Sequence, residues 1–185
     1  PGAPALRQDN TLRDALIAAT NFHIFQRHAD RVRMANIAQM VNMLQSPILT
    51  DGAKMVRTPT YYAFLMSLPL QGASALPVRM DSPQLLAGKS NVPAVDVTAA
   101  KGSGGQLYIG LVNADPDEVA DVDVSIGSAA RQVSGQLLTA PAMDSQNRFG
   151  AAEAVRPEPF HGARWSGGKL RVTMPAKSIV VLTVK

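Results

Sequence analysis

The sequence lacks several features that would define common classes of protein. It has no cysteine among its 185 residues, so disulfides and thiolate metal sites are excluded, while the compartment stays open. It has no run of about 18 consecutive apolar residues, so we expect no membrane-spanning helix. Its amino-terminal segment has no basic-then-apolar pattern of a signal peptide. Aromatic residues make up only 5% of the chain, too few for a base-stacking platform.

Charge is also sparse in ways that bear on partners and chemistry. The net charge is +4, but the basic residues are scattered, without the run that tracks phosphates, so we expect no nucleic-acid partner. Residues 1–72 contain no glutamate. Their aspartates belong to a helix start, a turn or a candidate ion pair. No acid–base carboxylate pair can be assembled, and the histidine spacing does not fit a metal site; we expect no metal and no cofactor.

The sequence divides into two halves with different hydrophobic periods. Residues 1–72 show helical spacing, with Thr11 and Asp14 as a capping pair and Thr58–Pro59 as a second helix start. A buried strand and a long loop are expected between these helices. This order of elements is typical of an α/β barrel. One strand cannot form a barrel, so this half looks incomplete and should expose apolar helix faces. Residues 73–185 alternate with a period of two between short turns, which indicates an antiparallel β-sandwich.

The most informative segment combines apolar residues with three side-chain amides. Asn36, Gln39 and Asn42 lie in the run RVRMANIAQMVN at 31–42. Buried amides must be hydrogen-bonded, so the run forms either an internal network or one wall of a polar pocket. Neutral amides suit sugar hydroxyls because both donate and accept. Gln39 is best placed for this role, since it follows the predicted strand and opens the long loop.

At these residues the chain resembles glycoside hydrolase family 51, the α-L-arabinofuranosidases. The resemblance rests on NFHIFQRHADRVRMANIAQMVN at 21–42, LTDG at 49–52, RTPTYY at 57–62, LLTAPA at 137–142 and PAKSIVVL at 175–182. It implies the final segment of a (β/α)8 barrel in residues 1–72, followed by an antiparallel jelly-roll β-sandwich in residues 73–185. Within the first part it implies the seventh barrel helix at 10–29, the eighth strand at 31–37 and the eighth helix at 59–68.

The resemblance also implies a function for the complete protein. It implies retaining hydrolysis of terminal α-L-arabinofuranosyl groups from arabinan or arabinoxylan, by two glutamates about 5–5.5 Å apart. Neither catalytic glutamate is expected in this chain, which we predict to be inactive alone. The implied substrate-binding residues are Gln39, which hydrogen-bonds the arabinose in the −1 subsite, and Asn36, which supports it. Asn42 is expected to be structural.

The expected partners follow from the same resemblance. They are an arabinofuranosyl-containing oligosaccharide or polysaccharide, the missing amino-terminal barrel portion, and further copies in a homo-oligomer. An alternative from another class is a non-catalytic β-sandwich module that binds carbohydrate or packs against a barrel. Sugar binding by such a module would need exposed aromatic side chains. The candidates in the second half are Tyr108, Phe149, Phe160 and Trp165.

Overall fold

The computed structural model of the chain describes residues 9–37, 39–127 and 132–185. Two α-helices and one β-hairpin form its first part: α1 (Leu12–Arg27), β1 (Ile48–Asp51), β2 (Lys54–Arg57) and α2 (Pro59–Ser67). The remaining strands follow: β3 (Ser74–Leu76), β4 (Gln84–Ala87), β5 (Ser90–Pro93), β6 (Val95–Lys101), β7 (Leu107–Asn113), β8 (Ala120–Val124), β9 (Val133–Leu138), β10 (Glu158–Pro159), β11 (Ala163–Ser166), β12 (Lys169–Met174) and β13 (Ser178–Val184). None of the described helices is long and apolar enough to cross a membrane.

Local capping chemistry sets the start of both helices. Asp14 Oδ2 accepts the backbone N–H of Thr11 at 2.7 Å, which satisfies one of the free donors at the beginning of α1. Thr58 Oγ1 accepts the backbone N–H of Tyr61 at 3.4 Å, and Pro59 occupies the first turn of α2. Both helices therefore begin within two residues of the predicted positions.

The predicted eighth barrel strand at 31–37 has no regular secondary structure in this chain. Residues 32–37 form no strand, and Met34 is 79% exposed. A strand exists only when a neighbouring strand accepts and donates its backbone hydrogen bonds. No residue of 32–37 pairs with a strand in the described part of the chain, so the assignment of this segment as the eighth strand stays a prediction.

The second half consists of two antiparallel sheets that share a core, together with a separate antiparallel hairpin of β4 and β5. The larger sheet has six strands in the order β10-β9-β13-β7-β6-β3, and the smaller has three in the order β11-β12-β8. Leu170, Val172 and Met174 of β12 pack against Leu111 of β7 and Leu182 of β13. This agrees with the predicted antiparallel strands, because apolar residues at every second position face the opposing sheet.

The two helices cover the outer face of the larger sheet. Leu16 of α1 and Met66 of α2 share a second buried cluster with Val112, Ile179 and Val181 of β7 and β13. Since β13 is buried on both faces, its sequence is continuously apolar instead of alternating. The predicted boundary near residues 71–74 falls just before β3, but the helices and the sandwich pack together across it.

A groove with many apolar side chains lies between the larger sheet, β8 of the smaller sheet and residues 77–85. Its volume is about 1320 Å³. Val97 and Leu107 line it from the larger sheet, and Val122 and Val124 line it from β8. These side chains are only partly buried, in contrast to the closed part of the sandwich core.

Candidate functional site

The two predicted sugar contacts lie on the irregular segment between α1 and β1. Asn36 and Gln39 are both exposed, and neither side chain hydrogen-bonds to another residue in the described part of the chain. Their apolar neighbours are exposed too: Met40 is 69% accessible and Val41 is 41% accessible. The expectation of a buried run is therefore wrong for this chain by itself. The amides are free to meet other groups, and their roles in sugar binding stay predictions.

The third amide of the run has partners, in agreement with its expected structural role. Asn42 Nδ2 donates to Thr50 Oγ1 at 2.9 Å, and Thr50 N donates to Asn42 Oδ1 at 2.6 Å. Asn42 has φ of +59°, a left-handed conformation that asparagine tolerates better than most residues. The side chain thus joins the segment after Gln39 to strand β1.

A polar cluster joins the β1–β2 hairpin and α2 to a long sandwich loop. Arg57 Nε donates to Glu153 Oε1 at 2.9 Å, and the Tyr62 hydroxyl donates to Glu153 Oε2 at 2.5 Å. Burial and the hydrogen bond to Glu153 raise the pKa of Tyr62 to about 12. The hydrogen bond to the same carboxylate raises the pKa of Arg57. Tyr62 and Arg57 therefore stay protonated, and the Glu153 carboxylate accepts one hydrogen bond from each.

The sequence alone does not reveal the role of Glu153. Glu153 lies 96 residues from Arg57 and 91 from Tyr62 along the chain. Its neighbours in sequence are turn residues, which normally mark a solvated surface. No local pattern could reveal a partner so distant in sequence.

The buried Asn147 side chain also joins the β1–β2 hairpin to this sandwich loop. Its Nδ2 donates to Arg57 O at 2.9 Å and to Val155 O at 2.8 Å, while its Oδ1 accepts from Val155 N at 2.8 Å. The side chain is thus the shared partner of the end of β2 and of the loop after residue 147.

Replacing Asn147 with alanine is expected to lower the free energy of unfolding by about 2 kcal/mol, because buried backbone groups lose their partners. Urea denaturation of the chain measures this loss. Asn91→Ala is the matched control, since Asn91 is exposed on β5, and we expect it to stay within about 0.5 kcal/mol of the parent chain. Equal losses for the two variants would contradict the role given to Asn147.

A second polar cluster fixes α1 to the sandwich. His23 is buried, and its Nδ1 lies 2.8 Å from Asp96 Oδ2 in β6. Arg27 Nη1 donates to Asp96 Oδ1 at 2.9 Å. Burial by itself would raise the pKa of Asp96, but hydrogen bonds and charge from His23 and Arg27 outweigh it and hold this pKa below its usual value. His23 is thus a structural histidine with a carboxylate partner.

The sandwich offers little to stack on a sugar ring. Phe160 is 8% exposed, Tyr108 and Trp165 are half-buried, and only Phe149 of these four is exposed, at 37%. The outer surface of the smaller sheet carries a charged row in which Arg171 is paired with Asp123. Carbohydrate binding by a sandwich alone needs an aromatic surface, so these side chains do not favour it.

These features define a mostly β-sheet domain with a helical segment packed on its larger sheet. Comparison with known proteins gives the family. The sequence model described as "Alpha-L-arabinofuranosidase C-terminal domain" matches residues 1–178. The chain belongs to this family and is the carboxy-terminal portion of a glycoside hydrolase family 51 protein.

Individual relatives agree with this assignment. An intracellular exo-alpha-L-arabinofuranosidase from Bacteroides ovatus is 40% identical over 182 residues, which are 97% of this chain and 35% of that protein. The crystal structure of a GH51 arabinofuranosidase from Xanthomonas axonopodis pv. citri matches with a TM-score of 0.94 and 49% identity, over 100% of this chain and 38% of that one. An exo-alpha-(1->6)-L-arabinofuranosidase from Bifidobacterium longum is 28% identical, over 100% of this chain and 37% of that protein. The chain therefore spans little more than a third of the length of these relatives.

Proposed function

We propose that this chain is the carboxy-terminal part of a retaining exo-acting α-L-arabinofuranosidase. In this proposal residues 1–72 complete a (β/α)8 barrel, and residues 73–185 form a jelly-roll β-sandwich beside it. The catalytic glutamates belong to the rest of the enzyme. Gln39 hydrogen-bonds the arabinofuranosyl ring, and Asn36 supports it. The substrates are terminal α-L-arabinofuranosyl groups on arabinan- or arabinoxylan-type chains. The names of the relatives, which are exo-acting α-L-arabinofuranosidases, support the terminal arabinofuranosyl group.

The main support for this proposal is that α1 has one packed side and one exposed side with apolar residues. One side of the helix, including Ala15 and Ala19, is fully packed against α2 and the sandwich. The exposed side carries Arg13, Asn21 and Arg27. It also carries three uncovered apolar side chains, with Ile17 48% exposed, Ile24 40% and Phe25 36%. A helix at the surface of a finished domain carries polar residues on its outer side. The exposed side of α1 fits a helix that lies between this sandwich and further barrel strands.

The exposed loop and the groove support the same proposal. Met34 and Met40 border the predicted sugar contacts and are largely exposed, as expected for a barrel strand without its neighbours. The groove between the two sheets is a further uncovered apolar surface. Contiguous apolar surfaces of this kind mark places where other polypeptide packs.

The test is reconstitution of hydrolysis from separate parts. We expect the isolated chain not to hydrolyse an aryl α-L-arabinofuranoside, and we expect hydrolysis when the chain is joined to, or co-expressed with, the upstream region. Hydrolysis by the isolated 185 residues would overturn the proposal. So would an inactive complete protein that is folded and stable.

The exposed side of α1 supplies a sharper version of this test. Ile24→Glu places a charge where barrel strands are expected to pack, so it should abolish reconstitution while leaving the chain folded, because burying an unpaired charge is very unfavourable. Leu86→Glu is the matched control, since Leu86 is 77% exposed on β4 of the sandwich. We expect activity to survive Leu86→Glu. Full activity with Ile24→Glu would contradict the proposed packing.

A further inference from the structure

The segment that follows Gln39 is attached to the β1–β2 hairpin by one isolated parallel β-bridge. Ile48 N donates to Met40 O at 3.2 Å, and Asn42 N donates to Ile48 O at 3.1 Å. Val41 and Ile48 form a parallel bridge between these two bonds. The backbone position of Gln39 is therefore fixed from its carboxy-terminal side by the hairpin.

Asn42 ends this short pairing and holds it in place. Its side chain makes two hydrogen bonds to Thr50, one to the hydroxyl and one from the backbone N–H. Its φ of +59° turns the chain away from β1 directly after the pairing. Leu44 has a similar φ of +47° in the same loop, but its side chain is 41% exposed and makes no such bonds. Asn42 thus combines the turn and the attachment in one residue.

The hairpin is itself attached to the sandwich and to α2. Arg57 at the end of β2 is held by the carboxylate of Glu153 and by the side-chain amide of Asn147. The Thr58 hydroxyl donates to Ser46 O at 2.9 Å, which ties the loop before β1 to the start of α2. An unbroken series of hydrogen bonds thus leads from the sandwich loop through the hairpin to the segment after Gln39.

We propose that Asn42 is a positioning residue for Gln39. It keeps residues 40–42 on the hairpin, and the sandwich loop that contains Asn147 and Glu153 keeps the hairpin on the body of the chain. The sandwich therefore contributes to the sugar site by setting the place of its glutamine. This proposal rests on the proposed sugar contact of Gln39. It adds Asn42 as a positioning residue and the hydrogen bonds that connect the sandwich loop to the segment after Gln39.

A double-mutant cycle in the complete enzyme tests the proposal. Asn42→Gly keeps the left-handed turn and removes both side-chain bonds, so we expect kcat/KM for an aryl α-L-arabinofuranoside to fall about tenfold, because small displacements of a substrate contact are costly. In a Gln39→Ala background the same change should cost less than about twofold. A residue that only stabilises the fold would lower activity equally in both backgrounds.

Three further variants separate the positioning role of Asn42 from an effect on the stability of the fold. Asn42→Asp tolerates the turn and can accept both the N–H and the hydroxyl of Thr50, so it should restore kcat/KM to within about twofold. Leu44→Gly is the matched control, since it also places glycine at a left-handed position but removes no hydrogen bond; we expect it to leave kcat/KM unchanged. Thr50→Val removes only one partner of Asn42, so it replaces Asn42→Gly in the cycle if that variant does not accumulate.

Each outcome of the cycle has a definite meaning. An equal loss in both backgrounds, or no loss with Asn42→Gly, overturns the positioning role while the Gln39 contact stands. Full activity of Gln39→Ala overturns the sugar contact and the positioning role together. A tenfold loss that disappears in the Gln39→Ala background supports both.

Discussion

Replacement of Gln39 by alanine in the complete enzyme is expected to lower kcat/KM for an aryl α-L-arabinofuranoside about a hundredfold, because hydrogen bonds to sugar hydroxyls that strengthen in the transition state supply several kcal/mol. The side chain is exposed and has no partner in the described part of this chain. Its removal should therefore leave the midpoint of thermal unfolding unchanged. Steady-state kinetics and a thermal melt measure the two quantities on one preparation.

The control for this prediction is the same substitution at an amide far from the sugar site. Gln71 is exposed in the turn before β3, so Gln71→Ala should retain full activity. Asn36→Ala should show a smaller loss than Gln39→Ala, since Asn36 is proposed to act as a support. Unchanged kinetics for Gln39→Ala would remove this residue from the sugar site.

The local features of the fold follow from the sequence because their causes are local. The cap at Thr58 and Pro59 depends on residues that are neighbours in the chain, and so does the alternation of Leu170, Val172 and Met174 along β12. These features predict element type and position closely. They do not show which face of a helix packs on which sheet, since that choice depends on distant residues.

The long-range contacts show what a single sequence leaves open. His23 meets Asp96 across 73 residues, and no spacing rule joins a helical histidine to an aspartate of a later strand. The same holds for the contact of Glu153 with Arg57. The amide run at 31–42 shows the opposite limit. Its apolar pattern predicts burial, but Met34, Met40 and Val41 are exposed in this chain.

Replacement of Asp96 by alanine is expected to reduce the free energy of unfolding of the chain by about 3 kcal/mol at pH 7, because His23 loses its buried partner and Arg27 loses its ion pair. The Asp96 side chain is 18% exposed, and that of His23 is 3% exposed, so solvent replaces little of what is lost. This contact joins α1 to β6. The loss should therefore also loosen the attachment of the helix to the sandwich.

The lowered pKa of Asp96 determines how its contribution to stability changes with pH. The folded-state pKa of Asp96 lies below its usual value, so the stabilisation it provides is fully present above the unfolded-state pKa of about 3.9 and is lost as pH falls through the folded-state pKa. The difference in stability between the parent chain and Asp96→Ala should hence shrink as the pH falls below about 4. Urea denaturation at a series of pH values measures it.

The exposed ion pair of Asp123 with Arg171 provides the control for Asp96. Their charged atoms are 3.5 Å apart and both side chains are about half exposed, so Asp123→Ala should cost at most about 0.5 kcal/mol at pH 7. A loss for Asp96→Ala that is as small as this, or one that grows as the pH falls below 4, would show that the pairing with His23 and Arg27 does not hold α1 on the sandwich. A large loss that fades in acid is the result that the buried pairing requires, because protonation removes the charge that both partners bind.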